Sequence, residues 1–276
     1  MPEGDTVHQL SSRLQFMVGR EVLSCSLRVP RYATVNLAGS RCTRVWALGK
    51  HLFMLCGQNV LHTHLKMEGS WAVHDKGTRW RKPGHTARVV LTLSAPERAH
   101  PIEVVGHNLG LVRVFPLSQF GQQMGYLGPD VLAPEWPEAG RPVARQRLMA
   151  KPDRPVGTAL VDQSNLAGVG NEYRAEICFL AGVHPATAVA ECNIDQILDL
   201  TRKVMWANRN ARQRVFTGVN RPGQTTYVFG RNHRPCRRCG TQIRKGALGG
   251  VDQGGSTDEL ERIIWWCPSC QPGPEA

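Results

Sequence analysis

The 276-residue sequence has no apolar run close to the roughly 20 residues that a helix needs to span a bilayer. It also has no internal repeat and no low-complexity tract. Its N-terminus lacks the basic and then apolar pattern of a secretory signal peptide. These absences exclude a membrane-spanning chain and a repeat protein, and they predict a globular protein of the cytoplasm.

Acidic residues are scarce relative to basic ones, since 22 Asp and Glu face 34 Lys and Arg and give a formal net charge of +12. Such an excess favours binding to phosphate backbones or anionic membranes and says little about the fold. Membrane binding is the weaker alternative because the long apolar run is missing. The length suits two domains, or one domain with an appendage.

Four of the nine cysteines form two C-x2-C pairs, Cys236 with Cys239 and Cys267 with Cys270. A short C-x2-C turn directs two sulfurs at one ion, so the pairs predict one structural, tetrahedral zinc. A disulfide pair, or a zinc ribbon that only holds proteins together, is the alternative. A reducing cytosol favours zinc over disulfides. The other five cysteines are Cys25, Cys42, Cys56, Cys178 and Cys192. Several of them have apolar neighbours, where a buried thiol is the usual state.

Basic residues crowd the first cysteine pair, namely Arg231, Arg234, Arg237, Arg238, Arg244 and Lys245. This density of positive charge indicates a polyanion, and therefore nucleic acid, as the partner. The residues between the two pairs, 240–266, are long enough to form a hairpin that brings the four sulfurs together.

The first half of the chain predicts a helix followed by strands. Residues 5–18 have apolar side chains at helical spacing, and Gly19 is the expected end. Apolar and polar residues then alternate from Leu23 to Val29, as in a half-buried strand. Further strand-like runs occupy 45–56, 87–94 and 102–115. Because no helices alternate with these runs, we expect an antiparallel sandwich or barrel.

The second half is helical after a proline-rich stretch at 129–142, which indicates a domain boundary. The helical runs lie at about 143–150, 156–163, 171–181 and 187–210. A glycine-containing turn, 165–170, joins the second run to the third. Gly182 and Pro185 end the third run.

The opening of the chain places Pro2 and Glu3 at the start of an amphipathic helix that would hold the terminus in place. Removal of Met1 would leave Pro2 as a secondary amine, and the reference pKa of an α-amino group is roughly 7.7–8 against about 10.4 for lysine. Such an amine is often neutral near pH 7 and can attack a sugar carbon to form an iminium. Glu3 would be the general acid. An ordinary helix start is the alternative.

Six motifs occur in one order: the Pro2-Glu3-Gly4 opening, a strand-borne Gly49-Lys50-His51, the segments 61–69 and 127–132, the turn 165–171, and the four-cysteine finger. Together they resemble the formamidopyrimidine-DNA glycosylase / endonuclease VIII family of base-excision repair enzymes. The resemblance covers essentially the whole chain, and the opening is more similar to the endonuclease VIII branch than to the 8-oxoguanine branch.

The resemblance implies roles for four candidate catalytic residues. Pro2 matches the nucleophile that attacks C1′ of the damaged nucleotide, and Glu3 matches the acid that protonates the sugar ring oxygen. Lys50 matches a basic residue on a strand that assists β-elimination and contacts phosphate. Arg262, five residues before Cys267, matches the finger arginine that binds the phosphates beside the lesion and aids δ-elimination. The alternative for Lys50 is an ordinary solvated surface lysine, and the alternative for Arg262 is one more arginine of the finger.

The resemblance also implies three DNA contacts. Asn171 matches a phosphate contact at a helix N-terminus, and a simple N-cap is the alternative. Met67 lies where the family inserts a side chain into the gap left by the extruded nucleotide, and core filler is the alternative. Lys66 beside it is a further expected contact. Other histidines show no zinc-ligand spacing and are expected to be polar or core residues: His62, His64, His85 and His107.

Two departures from the family pattern are present. Thr6 stands where many relatives carry a second acidic residue. The finger is also longer than usual between its cysteine pairs, because of a glycine-rich insertion from Gly249 to Asp258. The insertion puts the alignment of Arg244 and Lys245 in doubt and leaves Pro2 untouched.

We therefore predict an α+β protein with an N-terminal antiparallel β-sandwich and leading helix at 1–128. A helical domain with a helix-two-turn-helix element would follow at 129–216, and a four-cysteine zinc-finger hairpin at 217–276. The predicted function is that of a bifunctional DNA glycosylase and AP lyase that excises oxidised bases, pyrimidines in particular, and nicks the strand.

The predicted partner is damaged double-stranded DNA, bound by a monomer that is nucleoid-associated if bacterial. No redox or nucleotide cofactor is implied. One rival is a zinc-dependent damaged-DNA-binding protein that has lost the chemistry. The other is the same enzyme class with a preference for 8-oxoguanine or formamidopyrimidine.

Overall fold

A computed structural model gives the fold and describes residues 2–249 and 262–273. The chain forms two compact units, Met1–Tyr126 and Leu127–Ala276. The first is a β-sandwich that begins with a helix, and the second contains most of the helices and a two-stranded hairpin. These elements confirm the predicted α+β class. The finer division into domains at 128 and 216 stays a prediction.

The sandwich has eight strands among the described residues: β1 Val22–Leu27, β2 Cys42–Leu48, β3 His51–Cys56, β4 Asn59–His64, β5 Ser70–Asp75, β6 Ala87–Leu93, β7 Ile102–His107 and β8 Leu111–Pro116. One sheet has the order β1-β6-β7-β5 and the other has the order β2-β3-β4-β8. Neighbouring strands are antiparallel throughout.

The leading helix forms as predicted, although it is shorter. Helix α1 is Gly4–Arg13, and a 3-10 turn at Gln15–Met17 completes the helical stretch. Gly19, with a φ of 88°, ends it. The apolar positions that predicted the helix are buried against the sandwich core, to which both sheets contribute: Val7, Leu10, Leu14 and Met17.

Two of the predicted strand runs are in fact pairs of strands. The run 45–56 folds back at a two-residue turn, Gly49–Lys50, between β2 and β3. Gly49 has a φ of 56°, which glycine adopts without steric cost. The run 102–115 divides at Asn108, with β7 in one sheet and β8 in the other. Strongly apolar residues on both sides of each turn conceal these turns in the sequence.

The side-chain alternation expected for the first strand is wrong at its start. Leu23 is exposed, whereas Val22 before it is fully buried. A register shift between Val22 and Ser24 against β6 accounts for the difference. A β-bulge of this kind adds one residue on one strand and moves the following side chains to the opposite face.

The helices are α2 Phe120–Met124, which belongs to the first unit, and α3 Arg141–Met149, α4 Val156–Val161, α5 Asn171–Ala181 and α6 Ile194–Asn208 in the second. The predicted run 187–210 is wrong at its start. A 3-10 turn at Val189–Glu191 precedes α6, and Asn193 caps α6 by accepting a hydrogen bond from the backbone N–H of Gln196. This cap satisfies an N–H that would otherwise lack a partner in the first turn.

The proline-rich stretch is more ordered than a linker. Pro137 lies in a π-helical turn, Trp136–Gly140, and Pro142 in the first turn of α3. Proline is tolerated there because its missing N–H has no intrahelical acceptor. The buried Trp136 ring joins the helical core of the second unit.

The C-terminal hairpin consists of β9, Arg244–Leu248, and β10, Arg262–Trp266, paired antiparallel. This confirms the expected hairpin between the cysteine pairs. The insertion 249–258 lies outside the described residues except for Gly249. None of the helices in the described ranges is long and apolar enough to cross a membrane.

Candidate functional site

The N-terminal residues are held by the first turn of α1. Glu3 is the N-cap and is fully buried. Its side chain accepts from the backbone N–H of Thr6, and the Thr6 hydroxyl accepts from the backbone N–H of Glu3 at an N···O distance of 3.5 Å. This reciprocal capping box fixes the Glu3 carboxyl group. Pro2, half-buried, directly precedes it.

Thr6 thus has a structural part in the candidate site. Its hydroxyl also donates to the Asp5 carboxylate, at 3.3 Å, and its backbone N–H donates to the same oxygen at 2.7 Å. An ionised acidic residue at position 6 could not donate the side-chain bond to Asp5. Met1, whose removal the chemistry of Pro2 requires, lies outside the described residues.

Lys50 lies in the β2–β3 turn and is not on a strand, which corrects the sequence-based expectation for its position. Strand β3 begins immediately after it, at His51. A tight turn between two strands of the buried sheet holds the Lys50 backbone in place while the side chain remains half-exposed. Its catalytic role stays a prediction.

Three histidines cluster beside this turn. Nδ1 of His51 and Nε2 of His62 are 2.8 Å apart, and the ring of His64 lies edge-on to that of His51. Burial, followed by the positive charges of Lys50, Lys66 and Arg113, lowers the pKa of His51 to about 4. The cluster is therefore neutral at pH 7.

Hydrogen bonding favours one tautomer for each ring. Nδ1 of His62 is buried and has no hydrogen-bond partner among the described residues. A buried unpaired N–H is rarer than a buried unpaired acceptor, so the His62 proton belongs on Nε2, which donates to His51. Nδ1 of His64 accepts from the backbone N–H of Lys66 at 2.9 Å, which places its proton on Nε2.

The loop after β4 presents Lys66 and Met67 to solvent. Lys66 adopts a φ of 52° and Met67 is 63% exposed. The interpretation of Met67 as core filler is therefore wrong. Two glycines hold the loop close to the protein: a Cβ at Gly110 would lie 2.1 Å from Cγ of Lys66, and one at Gly69 would lie 2.4 Å from the Leu65 carbonyl oxygen.

Asn171 is the first residue of α5, whose N-cap is Gly170, so the interpretation of Asn171 as a simple N-cap is wrong. Its amide donates to the backbone carbonyl of Ile263 in β10 at 3.0 Å. Arg174, one turn later and fully buried, donates to the same carbonyl at 2.8 Å and to the Asn171 side chain. Asn171 thus joins the N-terminus of α5 to the hairpin.

Arg262 begins β10, opposite Leu248, directly before the residue that Asn171 and Arg174 bind. Only its backbone belongs to the described structure. The pairing nevertheless puts position 262 at the end of the described hairpin furthest from Cys267. Arg244 and Lys245 lie at the other end, opposite Trp266 and Trp265.

Glu176 is a site residue that the sequence analysis missed. Its carboxylate is fully buried and accepts three backbone N–H bonds from consecutive residues, Tyr227 at 2.7 Å, Val228 at 2.9 Å and Phe229 at 2.8 Å. Burial raises the pKa of Glu176 to about 7, and the three N–H bonds oppose that rise. Helix α5 therefore fixes the segment that leads into the finger.

The four paired cysteines converge. Their sulfurs all lie within 4.8 Å of one another, with 3.9 Å between Cys236 and Cys270 and 3.4 Å between Cys239 and Cys267. Four sulfurs at about 2.3 Å from a tetrahedral zinc would be about 3.8 Å apart. The donor set thus fits a metal ion held by four thiolates. The predicted convergence of the four cysteines is confirmed. Three of the other five cysteines are buried, namely Cys42, Cys56 and Cys178.

Comparisons with known proteins decide the family. The sequence profile of the formamidopyrimidine-DNA glycosylase N-terminal domain matches residues 1–103, and that of the formamidopyrimidine-DNA glycosylase H2TH domain matches residues 127–211. The chain belongs to the formamidopyrimidine-DNA glycosylase family. The second match spans α3 to α6 and so includes the two helices and turn around Asn171.

Members of the family in several bacteria are similar to this chain over nearly their whole length. "Probable endonuclease 8 2" of Streptomyces coelicolor is 42% identical, with 99% of this chain and 95% of that protein aligned. A DNA-(apurinic or apyrimidinic site) lyase of Mycolicibacterium smegmatis is 40% identical, with 98% and 99% aligned. Formamidopyrimidine-DNA glycosylase of Bacillus subtilis is 29% identical, with 98% of each chain aligned.

Solved structures of the family share the fold. Lactococcus lactis formamidopyrimidine-DNA glycosylase, non-covalently bound to DNA with an AP site, superposes with a TM-score of 0.76 over 98% of this chain and 100% of that one, at 19% identity. A MutM complex with DNA containing carbocyclic 8-oxo-G gives 0.78 at 20% identity, over 99% and 100%. The predicted family and fold class are confirmed.

Proposed function

We propose that this protein is a bifunctional DNA glycosylase and AP lyase that uses an N-terminal amine and excises oxidised bases, pyrimidines above all. The start of α1 carries the proposal, because Pro2 directly precedes a fully buried Glu3 fixed by a capping box. Covalent catalysis gains most when nucleophile and acid are held in place before the substrate arrives. The relatives at 40–42% identity, which carry the names endonuclease 8 and AP lyase, support the same reaction.

The proposed reaction begins once Met1 has been removed. The secondary amine of Pro2 attacks C1′ of the damaged nucleotide and forms a C–N bond as the bond to the base breaks. Glu3 delivers a proton to the sugar ring oxygen, which leaves C1′ and opens the ring. Loss of that ring bond leaves an iminium between Pro2 and C1′.

Strand cleavage follows from the iminium. It makes the protons on C2′ acidic, and loss of one of them expels the 3′ phosphate by β-elimination. A second elimination expels the 5′ phosphate and leaves the sugar attached to Pro2 until water releases it. Lys50 assists the first elimination, and Arg262 balances phosphate charge in the second.

DNA binding involves a second group of residues and a metal. Lys66 and Met67 are exposed on one loop, and Met67 would fill the gap of an extruded nucleotide. Asn171 contacts phosphate at the N-terminus of α5. The four cysteines hold one zinc whose four thiolates leave no position for a reacting water, so its role is structural. The protein acts on duplex DNA as a monomer.

Borohydride trapping tests the catalytic proposal. Wild-type protein on a duplex with an abasic site should give a covalent adduct, because borohydride reduces the iminium to a stable amine. An uncleaved N-terminal tag, which removes the free amine from this position, should abolish it, and Pro2→Gly, which replaces the secondary amine by a primary one, should reduce it. The matched control is Pro30→Gly, a proline outside the site. If DNA binding and zinc are intact and no adduct forms, the protein is the non-catalytic DNA-binding rival.

Single-turnover rates on two matched duplexes test the lesion class. One duplex contains an oxidised pyrimidine and the other contains 8-oxoguanine. Faster excision of the pyrimidine is expected. The opposite order would assign the protein to the purine-lesion alternative while leaving the Pro2 chemistry intact.

A further inference from the structure

The strongest feature outside the proposed site is a basic segment between β5 and β6. Residues 76–88 contain no acidic residue and the following basic ones: Lys76, Arg79, Arg81, Lys82 and Arg88. Arg79, Arg81 and Lys82 are exposed. The stretch Thr78–Gly84, here called the basic loop, lines a concavity of about 760 Å³.

The basic loop is anchored to the sheet through Trp80. The Trp80 Nε1–H donates to the Glu103 carboxylate at 2.5 Å, and the ring lies edge-on to His107. The ring also packs on a small apolar cluster of the sheet, Ala87, Val90 and Val105. The loop backbone beside Trp80 therefore has a defined position and loses less conformational entropy on binding.

Two further contacts extend the positive surface beyond the loop. Arg28 lies over the Trp80 ring at 5.4 Å and donates to the Gly84 carbonyl at 3.1 Å. Lys82 Nζ donates to the Ser70 hydroxyl at 2.7 Å. The pKa of His107 reports the same proximity, because burial lowers it first and the charges of Lys82 and Arg28 lower it further.

Two acidic residues near the basic loop, one on strand β7 and one at the end of β5, already have partners. Glu103 accepts from Trp80, and Asp75, at the end of β5, forms an ion pair with Arg98 at 3.2 Å. By contrast, neither Arg79 nor Arg81 has an ion-pair or hydrogen-bond partner within residues 2–249 and 262–273. Two exposed cations without an ion-pair partner among the described residues favour binding of an external anion.

The position of the basic loop relates it to the DNA-facing loop of the proposed function. Ser70, which Lys82 binds, begins β5 and lies three residues after Met67. The basic loop and the Lys66–Met67 loop thus meet at the same end of this sheet. We propose that the basic loop is a second DNA contact, which binds backbone phosphates of the duplex beside the segment that Met67 enters. This proposal rests on the proposed function of the Lys66–Met67 loop.

The packing of the Trp80 ring favours duplex DNA over single-stranded DNA as the partner of the basic loop. Sites for single strands stack bases on available aromatic rings. The Trp80 ring is packed on the sheet, and its one donor is bound, so it offers no platform for a base. Arg79 and Arg81 therefore bind phosphates without reading sequence.

Salt-dependent binding tests the proposal. The double variant Arg79→Ala/Arg81→Ala should lower the slope of log K against log salt by about 1.8, at about 0.9 for each lost phosphate contact. The double variant should lose affinity for damaged and for undamaged duplexes by the same factor. The rate of borohydride trapping at saturating enzyme should not change, because neither arginine contacts the reacting sugar.

Two controls make the outcome decisive. Arg79→Lys/Arg81→Lys keeps both charges and should retain most of the slope. Arg13→Ala/Lys203→Ala removes two exposed cations elsewhere and should change the slope by much less. An unchanged slope for the alanine variant, or an equal change in this second control, would overturn the basic-loop contact. The proposed function stands separately, since the trapped adduct tests Pro2 and not the loop.

Discussion

The two compact units hold their candidate site residues in place by different physical means. The first unit has a large apolar core shared by α1 and both sheets, and the histidines that it buries beside Lys50 are neutral. The second unit has an apolar helical core as well, but it holds the finger through two buried ionisable side chains, Arg174 and Glu176, which bind the backbone that carries the finger. A small apolar cluster lies beneath the described part of the finger.

The difference follows from size. A sandwich of eight strands buries enough apolar area to order its loops and its N-terminus. A two-stranded hairpin cannot, so charge-assisted hydrogen bonds to backbone groups, together with the metal proposed for the four cysteines, take over. Changes to the metal or to Glu176 should therefore affect the second unit alone, and acid should affect the first through its histidines.

Removal of the metal should have the largest effect. Structural zinc contributes an apparent binding free energy of about 10–16 kcal/mol to small zinc-dependent folds. Treatment with a chelator should release one zinc, abolish DNA binding and remove amide-exchange protection from residues 236–248. Protection of the sandwich strands should be retained. Loss of protection in both units together would contradict the separation described above.

Glu176→Ala should have the next largest effect. It leaves the backbone N–H of the buried Val228 and those of the half-buried Tyr227 and Phe229 without this acceptor, and such a loss costs about 3–5 kcal/mol. Urea denaturation with amide exchange at residues 227–229 measures it. Glu176→Gln keeps one acceptor oxygen and should lose less, while the exposed Glu138→Ala should change stability by about 0.5 kcal/mol or less. If Glu176→Ala and Glu176→Gln destabilised the protein equally, the lost hydrogen bonds would not be the cause.

Acid should destabilise the first unit through His51 and His62. Burial, then the neighbouring charges, lowers the pKa of His62 to about 3, against about 6.5 in the unfolded chain. The unfolded state then binds more protons, so stability falls as pH drops from about 6.5 towards the folded value. At pH 5 the loss is on the order of 2 kcal/mol for one histidine.

Amide exchange of β3 and β4 at pH 7.5 and pH 5 measures this loss. His62→Phe should shrink the pH dependence, whereas the exposed His100→Gln should leave it intact. Glu176 should act with the opposite sign in the second unit, because its pKa is raised to about 7 and its contribution to stability falls as pH rises through that value. An identical acid response in His62→Phe and wild type would exclude the histidine pair as the source.

Met67→Ala should have the smallest effect on stability, about 0.5 kcal/mol or less, because the side chain is 63% exposed. Its effect should appear on DNA. Fluorescence of a base analogue opposite the lesion should show slower or incomplete extrusion, since the smaller side chain fills less of the gap. Met54→Ala, a fully buried methionine of β3, should give the reverse pattern and lose about 2–5 kcal/mol of stability.

Periodicity predicted the elements well where one side of the chain is apolar. It found α1 and the helix at 171–181 within a few residues, whereas the hairpin of the finger was predicted from the spacing of the cysteine pairs. It failed where apolar residues lie on both sides of a turn, as at Gly49–Lys50, and where a bulge reverses the burial of Leu23. Turn geometry and bulges depend on the partner strand, which periodicity does not describe.

The sequence likewise predicted one part of the candidate site and missed another. The spacing of Cys236, Cys239, Cys267 and Cys270 predicted four converging sulfurs, and the structure confirms that geometry. Glu176 and the His51–His62 pair were missed. The repeated histidines of the segment 61–69 were a signal for the pair, but they were interpreted as isolated polar or core residues.

The sequence by itself determined the family, the fold class and the convergence of four cysteines, because motif spacing along the chain limits which side chains can share one ion or one turn. Only the tertiary structure decided that Lys50 sits in a turn, that Asn171 binds β10 and that Glu176 accepts three N–H groups from a loop some fifty residues away. Those contacts join segments far apart in the chain. Burial makes each buried polar group find a partner, and the fold alone determines which partner is within reach.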